Sequence, residues 1–367
     1  MWKDSSKFGA LLIILLSAFA QKNSAQTTVG FELIAQSDKM YEFDILTSDK
    51  WVDGQQKTLF RSIGYPEPSQ VNFAFGHSYL YSIHLQGTAL KAQFVLTDSF
   101  QTGPVITGDF DADGNIEIMG NASFYPGEGT EILTLRYVGG IWKEYREAIP
   151  YYILGMFSVD LFDDSGDDFV FAFVNDTTTV CDTCFYDNEN PETGLIFGNW
   201  DGQKLNLSVD STFHYALQSL GAVFGANTYV YTYEALIDST YSPEEGAYEY
   251  GCLVKYRFDQ ESAKLERLYY AECPYFGWGL PSDNTSGVYV RDSLIVILDN
   301  KAMQWFVDDG QSLNLALMQW TPFPCYNPVL FDINADGQDD LVCAEPVVAG
   351  SLVQDPNWVI KAYKILK

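Results

Sequence analysis

The stretch Asp332-Ile-Asn-Ala-Asp-Gly-Gln-Asp-Asp340 places oxygen-bearing side chains at alternate positions around a glycine, and it lies between two short apolar runs. A second stretch, Asp109-Phe-Asp-Ala-Asp-Gly-Asn-Ile-Glu117, has the same pattern and the same apolar flanks. A third, Asp160-Leu-Phe-Asp-Asp-Ser-Gly-Asp-Asp168, is degenerate because Phe162 occupies its third position. Three copies in register predict a repeat protein.

The spacing of these acids is that of a calcium-binding loop. Ca²⁺ takes about six to eight oxygen ligands, and side chains at positions 1, 3 and 5 surround one point when a glycine at position 6 allows a sharp turn. A carbonyl at position 7 and an acid at position 9 then complete the shell. The predicted ligands are Asp109, Asp111, Asp113, Asn115 and Glu117 in one copy, Asp332, Asn334, Asp336, Gln338 and Asp340 in another, and Asp160, Asp164 and Asp168 in the third. Because Phe162 supplies no oxygen, we expect the third copy to bind calcium weakly or not at all.

An EF-hand has a similar pattern over its first nine positions. It also requires a bidentate Glu at position 12 and a helix on each side. Position 12 is Cys343, Gly120 or Phe171 in the three copies, and the flanking runs have the pattern of strands. The sequence therefore predicts calcium loops between β-strands.

These loops resemble the Asp-x-Asp-x-Asp-Gly-x-x-Asp loops of FG-GAP and VCBS repeats, which form β-propellers in integrin α-chains and many secreted proteins. The departures from that pattern are Asn334, Glu117 and the degenerate copy at Asp160. The resemblance implies an all-β propeller of four-stranded blades, seven in number. Because protein ligands fill most of the shell in such a loop, whereas a catalytic metal keeps an open position, we expect the calcium to be structural.

Hairpin signals recur at intervals that suit one four-stranded blade each. They are Leu85-Gln-Gly-Thr88, Val138-Gly-Gly-Ile-Trp142, Trp200-Asp-Gly-Gln203, Asp259-Gln-Glu-Ser262, Asp308-Asp-Gly-Gln311 and Gln354-Asp-Pro-Asn357. A weaker signal at Trp51-Val-Asp-Gly54 raises the expected number of blades from six to seven, and we favour seven. Strands from about residue 28 to 60 are expected to complete a blade with the C-terminal run 358–365, which would close the ring.

The first residues have the pattern of an export signal. Lys3 and Lys7 precede an apolar run from Phe8 to Ala20, and small residues follow. We interpret residues 1–25 as a cleaved secretory signal peptide and residues 26–367 as a single domain. No later run approaches the roughly 18 apolar residues of a membrane helix, so we expect no membrane insertion. The protein is predicted to be secreted or held at the cell surface.

Six cysteines in an exported chain predict three disulfides. Their spacing favours the pairs Cys181–Cys184, Cys252–Cys273 and Cys325–Cys343, although sequence alone leaves the connectivity open. A redox role for Cys181-x-x-Cys184 is the alternative, and the lack of a surrounding βαβ pattern argues against it.

The net charge of −28 argues against a nucleic acid as partner. Two polar segments, 175–194 and 237–251, exceed the blade template, and such long loops either carry a binding function or are tolerated insertions. Sequons begin at Asn121, Asn175, Asn206 and Asn284, and they bear glycans only in a eukaryotic source and where the site is exposed.

No catalytic constellation is evident in the sequence. The three histidines are His77, His84 and His214, and His84 has the pattern of a sheet residue. Zinc, nucleophile-elbow and phosphate-loop motifs are lacking. With 49 acidic residues, no pair stands out as the two carboxylates of a glycosidase. Trp278, in a Gly- and Pro-rich segment, is either a sugar-binding aromatic or a residue packed between blades.

The interpretation that follows is a secreted, calcium-stabilised β-propeller that binds an extracellular protein or glycan ligand as an adhesion or binding module. The alternative is a carbohydrate-active enzyme, either a propeller glycosidase or a polysaccharide lyase. The sequence does not determine the oligomeric state.

Overall fold

The described part of the chain consists of β-strands joined by turns, and it contains no helix. The computed structural model describes residues 30–39, 43–50, 56–62, 78–98, 100, 105–125, 129–162, 166–174, 193–210, 216–223, 228–236, 250–273, 286–291, 293–299, 302–323, 325–347 and 358–366. Within these ranges no helix has the length and apolar character needed to cross a membrane.

The strands are numbered in chain order. They are β1 (Gly30–Ser37), β2 (Phe43–Lys50), β3 (Gln56–Ser62), β4 (Ser78–Gln86), β5 (Ala89–Asp98), β6 (Val105–Gly108), β7 (Glu117–Tyr125), β8 (Gly129–Val138), β9 (Ile141–Ile149), β10 (Tyr152–Val159), β11 (Asp168–Val174), β12 (Thr193–Trp200), β13 (Leu205–Asp210), β14 (Ala216–Val223), β15 (Tyr229–Leu236), β16 (Tyr250–Asp259), β17 (Lys264–Glu272), β18 (Ser286–Arg291), β19 (Leu294–Asp299), β20 (Ala302–Asp308), β21 (Leu313–Trp320), β22 (Tyr326–Phe331), β23 (Asp340–Pro346) and β24 (Trp358–Leu366).

These strands form five hydrogen-bonded sheets. Four of them are four-stranded antiparallel meanders, β6–β9, β10–β13, β14–β17 and β18–β21. The fifth has eight strands in the order β2-β3-β4-β5-β1-β24-β23-β22. The first strands β2, β6, β10, β14, β18 and β22 lie beside one another in chain order, and β22 lies against β2. The sheets are therefore arranged as the blades of a closed β-propeller, which confirms the predicted fold class.

The eight-stranded sheet is where the first and the last described strands meet. Strand β1 pairs antiparallel with β24, from Gly30 opposite Leu366 to Gln36 opposite Lys361. Its last two residues also pair in parallel with the start of β5. Strand β1 thus completes a four-stranded half with β22–β24 and joins it to the half formed by β2–β5. The predicted closure between the N-terminal and C-terminal strands is confirmed for β1, whereas β2 and β3 belong to the neighbouring half.

The number of blades was predicted wrongly. The described strands form five separate sheets rather than seven or six, because the two halves at the ring closure share one hydrogen-bonded ladder. The signal at 51–54 falls between β2 and β3, the first two strands of one half, and so it does not mark a further blade. The signals at residues 85–88, 138–142, 200–203, 259–262 and 308–311 all lie between the third and fourth strands of a sheet or half-sheet. Residues 51–54 and 354–357 lie outside the described ranges.

Burial follows strand position. The second strand of a sheet has strands on both sides and a neighbouring sheet against each face, so its side chains are largely buried, as in β23, where all residues before Pro346 are buried. The fourth strand has one free edge, and β17 accordingly alternates between exposed and half-buried residues. Aromatic side chains fill the space between sheets: Phe169 stacks on Phe171 with ring centroids 4.5 Å apart, and Phe197 contacts Phe258 of the next sheet at 4.9 Å.

A buried ion pair joins the sheets β14–β17 and β18–β21. Lys255 Nζ lies 2.5 Å from Asp308 Oδ2, and both side chains are almost fully buried. The hydroxyls of Tyr231 and Tyr269 each donate to the same carboxylate at 2.6 Å. The ammonium also lies 3.9 Å from the ring centroid of Tyr229, within the range of a cation–π contact. Although burial raises the pKa of Asp308, the donated hydrogen bonds outweigh it and hold that pKa below its ordinary value.

The disulfide between Cys325 and Cys343 confirms one predicted pair. It fixes the residue before β22 to the middle of β23, and so it clamps the two strands that carry the Asp332 loop. Cys181 and Cys184 lie outside the described residues, as does the side chain of Cys252, and those two pairings stay predictions.

We expect Asp308→Ala to lower the free energy of unfolding by about 3–5 kcal/mol, because it leaves the Lys255 ammonium buried without its counter-charge. Glu266→Ala is the matched control, because it breaks an exposed ion pair with Arg257 in the sheet that also carries Lys255. It should lower the free energy of unfolding by less than about 1 kcal/mol. Urea denaturation followed by tyrosine and tryptophan fluorescence measures both. Equal losses in the two variants would contradict the structural role of the buried pair.

Candidate metal centres

The three acidic loops occupy equivalent places in the fold. Each connects the first strand of its sheet to the second: the Asp109 loop joins β6 to β7, the Asp160 loop joins β10 to β11, and the Asp332 loop joins β22 to β23. Because successive strands alternate in direction, the hairpins between third and fourth strands lie at the same end of the propeller. One of them touches the Asp109 loop, where a side chain added at Gly202 would begin 3.2 Å from Asp111 Oδ2.

The Asp109 and Asp332 loops have the same backbone conformation. At position 4, Ala112 has φ 59° and Ala335 has φ 58°, and at position 6, Gly114 has φ 86° and Gly337 has φ 83°. Alanine rarely adopts positive φ, and it does so where the surrounding structure imposes it, commonly at a ligand site. Two loops far apart in sequence therefore share an unusual conformation as well as a pattern of acids.

Their internal hydrogen bonds also match. The amide of Gly114 donates to Asp109 Oδ2 at 3.0 Å, and that of Gly337 donates to Asp332 Oδ2 at 2.8 Å. At position 7, the amide of Asn115 donates to Asp113 Oδ1 at 2.8 Å, and Gln338 makes the equivalent bond to Asp336 at 2.9 Å. These bonds curl the backbone around the side chains at positions 1, 3 and 5.

In the Asp109 loop, carboxylate oxygens of Asp109, Asp111 and Glu117 lie within 4.8 Å of one another. Glu117 is fully buried. Its Oε2 accepts a hydrogen bond from the amide of Phe110 at 3.0 Å, whereas its Oε1 and Asp109 Oδ1 accept none. A buried carboxylate oxygen without a partner is costly, and a cation among these oxygens would satisfy it.

The carboxylates of this loop repel one another because they carry the same charge. Burial first, and then the nearby Asp111, Asp113 and Asp109, raise the pKa of Glu117 to about 9. Burial also raises the pKa of Asp109 and Asp111. A divalent cation is the group that reverses such repulsion, because it favours the ionised form of every acid around it.

The Asp332 loop has the same feature at position 9. Asp340 is fully buried, and neither of its oxygens accepts a hydrogen bond of normal geometry. Burial, followed by the charges of Asp336 and Asp332, raises its pKa to about 6. The oxygen donors of both loops, which are carboxylates, one amide and backbone carbonyls, are those that Ca²⁺ prefers. Both loops therefore fit the predicted ion, and calcium binding there stays a prediction.

Each of these two loops also contacts a basic side chain on the third strand of its own sheet or half-sheet, which the sequence patterns did not single out. Arg136 on β8 places a guanidinium nitrogen 2.5 Å from Asp111 Oδ2 and 2.8 Å from Asp113 Oδ2. Lys364 on β24 places its Nζ 2.6 Å from Asp336 Oδ2. The Asp332 loop has a second basic contact, because a guanidinium nitrogen of Arg291 on β18 lies 3.4 Å from Asp339 Oδ2.

The Asp160 loop differs in the way its sequence predicts. Phe162 at position 3 packs into the core and meets Phe258 edge-on at 5.4 Å, so an apolar contact replaces a ligand. Asp168 is buried, and its Oδ2 accepts hydrogen bonds from the amides of Leu161 and Phe162 at 2.7 Å each. Asp164 lies outside the described residues, so the predicted ligand set of this copy is only partly seen.

The same loop supports its neighbour through Asp167, which is not among the ligands that the sequence predicts. Asp167 Oδ2 accepts a hydrogen bond from the amide of Asp109 at 2.7 Å, and the amide of Asp167 donates to the carbonyl of Asp109 at 2.8 Å. The degenerate copy thus holds the first residue of the complete loop on the adjacent sheet. No sequence pattern marks such a contact, because it joins two repeats.

Two further buried acids lie toward the other ends of their second strands. Glu234 on β15 accepts hydrogen bonds from Thr232 Oγ1 at 2.7 Å and from the hydroxyl of Tyr256 at 3.0 Å. Burial raises its pKa to about 7. Glu345 on β23 accepts hydrogen bonds from Lys361 Nζ at 2.7 Å and from the hydroxyl of Tyr363. Neither acid lies in one of the repeated acidic patterns of the sequence.

The other candidates from the sequence have mixed outcomes. His84 is an exposed residue of β4, as its pattern predicts. Asn121 is fully buried, so this sequon is not an accessible glycan site, whereas Asn206 is exposed. The remaining candidates, His77, His214, Trp278, Asn175 and Asn284, lie outside the described residues.

No protein-family profile matches this chain, and no curated protein sequence matches it. Similar folds do occur among solved structures. An α-L-arabinanase from Penicillium chrysogenum, complexed with arabinobiose, aligns with a TM-score of 0.54 and 13% identity over 93% of this chain and 99% of that one. A mutant α-L-arabinofuranosidase from Fusarium graminearum, bound to an iminosugar inhibitor, aligns with a TM-score of 0.52 and 11% identity over 92% of this chain and 98% of that one.

These comparisons correct the functional interpretation. Both of these solved structures align over nearly their whole length and are glycan-cleaving enzymes by name, so the prediction of an adhesion or binding module is wrong and its alternative is favoured. Membership of the FG-GAP or VCBS repeats stays a prediction, since no family profile matches. At such low identity the likeness itself establishes the fold alone.

We expect EGTA to lower the melting temperature of the protein, because an ion that binds only the folded state stabilises it by about 2.7 kcal/mol at a hundredfold excess over its dissociation constant. The double variant Asp109→Ala with Asp332→Ala should lose this response. Asp160→Ala, at position 1 of the degenerate loop, is the control and should retain it. A melt that is unchanged by EGTA in the unmodified protein would contradict calcium in these loops.

We expect the buried Glu234 to make stability depend on pH. Its pKa is about 7 in the folded protein against an ordinary 4.5, so the folded state binds the proton more tightly and stability falls as the pH rises from about 4.5 to 7. Glu234→Gln should remove this loss, because glutamine does not ionise. Between pH 4 and pH 8, the free energy of unfolding of the unmodified protein should therefore fall by up to about 3 kcal/mol more than that of the variant. Urea midpoints at several pH values measure it, with the exposed Glu266→Gln as control. Parallel pH profiles for Glu234→Gln and the unmodified protein would contradict this assignment.

Proposed function

We propose that this protein is a glycoside hydrolase that acts on neutral, arabinose-containing glycans. The observation that carries the proposal is the nearly complete two-way alignment with an arabinanase and an arabinofuranosidase, which leaves little of either fold unmatched. Because one fold hosts many activities, the proposal depends on the test below.

The charge of the chain supports a neutral substrate. A net charge of −28 creates a negative potential that repels polyanions. Polysaccharide lyases eliminate across uronic-acid residues, which carry a carboxylate, whereas arabinans are uncharged. The electrostatics therefore favour a hydrolase of neutral glycans over the lyase that the sequence left open.

The proposed calcium ions have a structural role in this enzyme. The Asp109 and Asp332 loops supply protein oxygens at most positions of the shell, which leaves little room for a substrate at the ion. Both loops lie at the end where first strands pass into second strands. We propose that the ions stiffen the ring there while glycan chemistry takes place elsewhere on the propeller.

The export context agrees with this function. The Cys325–Cys343 disulfide is a bond that persists outside the reducing cytoplasm. Plant-type and microbial glycans are extracellular polymers, so an enzyme that cleaves them must be exported. We therefore propose a secreted enzyme whose partner is a glycan.

We expect the purified protein to release reducing sugar from arabinan or to hydrolyse 4-nitrophenyl α-L-arabinofuranoside. The assay should include polygalacturonate, with absorbance at 235 nm as the signature of an unsaturated lyase product. Heat-denatured protein is the control for contaminating activity at equal concentration. Unsaturated products would favour a lyase, and binding to glycan without turnover would contradict the proposed hydrolase.

A further inference from the structure

Arg136 and Lys364 occupy the same position in two different sheets. Arg136 lies on the third strand β8, directly opposite Glu117, which is position 9 of the Asp109 loop. On the third strand β24, Tyr363 pairs with Leu341, and the next residue, Lys364, is therefore opposite Asp340, which is position 9 of the Asp332 loop. Each complete loop thus has one basic residue at the same register position.

The degenerate loop lacks this basic residue. Gly198 on β12 pairs with Phe169, so the next residue, Asn199, is opposite Asp168 at position 9 of the Asp160 loop. Asn199 is neutral, and it accepts a hydrogen bond from Asn206 at 3.1 Å. Among these three loops, the residue opposite position 9 is basic only where position 3 also supplies an oxygen ligand.

The basic side chains neutralise only part of each loop. The Arg136 guanidinium contacts the acids at positions 3 and 5, but its Nε is 4.0 Å from Glu117 Oε1, and neither of these two atoms makes a hydrogen bond. Lys364 contacts Asp336 at position 5, while Asp340 at position 9 keeps two oxygens without a hydrogen bond. The inner oxygens stay unsatisfied, and they are the ones that a small ion at the centre of the loop would bind.

We propose that each complete loop is a two-state cation site, in which the basic side chain of the third strand and a Ca²⁺ ion compete for the outer carboxylates. Without calcium, Arg136 or Lys364 reduces the repulsion among the acids, so that the blade stays folded. When calcium binds, it takes the carboxylate oxygens at positions 3 and 5, and the basic side chain gives up these contacts. The inference rests on the predicted calcium sites and is independent of the proposed glycosidase activity.

A position near the surface makes the exchange sterically feasible. The Arg136 side chain is 23% exposed and that of Lys364 is 32% exposed, so each has solvent on one side into which it can turn. Arg136 also lies 5.9 Å above the ring of Trp200 in the next sheet. That indole is close enough to the Asp109 loop to sensitise the luminescence of Tb³⁺, which substitutes for Ca²⁺ in oxygen sites.

The test compares Arg136→Gln and Lys364→Gln with Arg146→Gln, which removes the same charge from the neighbouring strand β9, where Arg146 pairs with Glu131 and Glu144. Calcium binding is measured by isothermal titration and by Tb³⁺ luminescence excited through tryptophan, together with melting temperatures in calcium and in EGTA. We expect Arg136→Gln to bind calcium about tenfold more tightly than the unmodified protein, which corresponds to about 1.4 kcal/mol of lost competition. It should also melt at a lower temperature in EGTA and recover in calcium.

The outcomes separate the alternatives. Unchanged or weaker calcium binding by both Arg136→Gln and Lys364→Gln would overturn competition, as would an equal gain in Arg146→Gln, which would point to net charge alone. If neither the unmodified protein nor any variant binds calcium, the basic residues are the permanent cations of these loops and the proposal fails. Should Arg136→Gln not fold in EGTA, the more exposed Lys364→Gln provides the same comparison in the second loop. Turnover of glycans enters none of these measurements, so a failure here leaves the enzyme proposal to its own test.

Discussion

The pairing of β1 with β24 is the contact on which the ring depends. In a propeller each sheet packs only on its neighbours, so a chain that did not bring its two ends together would leave a first and a last sheet with an uncovered face and an unpaired edge. Here the N-terminal strand is the outer strand of the C-terminal half-sheet, with Gly30 opposite Leu366. The amide of Ile360 donates to Ser37 Oγ at 2.9 Å in the buried part of this junction. The parallel contact of Ser37 with Leu90 then joins the closing sheet to the next half.

Charges that are buried between sheets form a second set of constraints. The carboxylate of Asp308 is satisfied by Lys255 and two tyrosine hydroxyls, so this site is complete within the protein. Glu117 and Asp340 are buried as deeply, yet each keeps at least one oxygen without a hydrogen bond. The contrast matters because the same fold shows both how a buried acid is satisfied from within and where that satisfaction is incomplete. It is the reason to look for an external cation in the acidic loops and for none at Asp308.

The functional interpretation changed from a binding module to an enzyme because it now depends on the whole fold, whereas the prediction depended on the acidic loops. The acidic loops concern how a connection between two strands is stabilised, and they do not by themselves distinguish a binding module from an enzyme. The alignments with glycan-cleaving enzymes cover 93% and 92% of this chain, so they concern most of the fold. Calcium binding by the loops therefore stays a prediction, and the alignments establish the fold alone.

The conformation of the acidic loops and the positions of most hairpins could be predicted from the amino-acid sequence, because they depend on residues close together along the chain. The spacing of acids around Gly114 and Gly337 indicated two turns whose dihedral angles and hydrogen bonds now coincide. Phe162 indicated the loop that diverges, and hairpin signals located five of the connections between third and fourth strands. Contacts between strands and between sheets could not be predicted in this way. Arg136 reaches its acids across the strand pairing of β7 and β8, Asp167 holds Asp109 across two sheets, and the ladder shared at the ring closure changed the count of sheets. These depend on how the strands are brought together in space, and that was decided by packing and by closure of the ring.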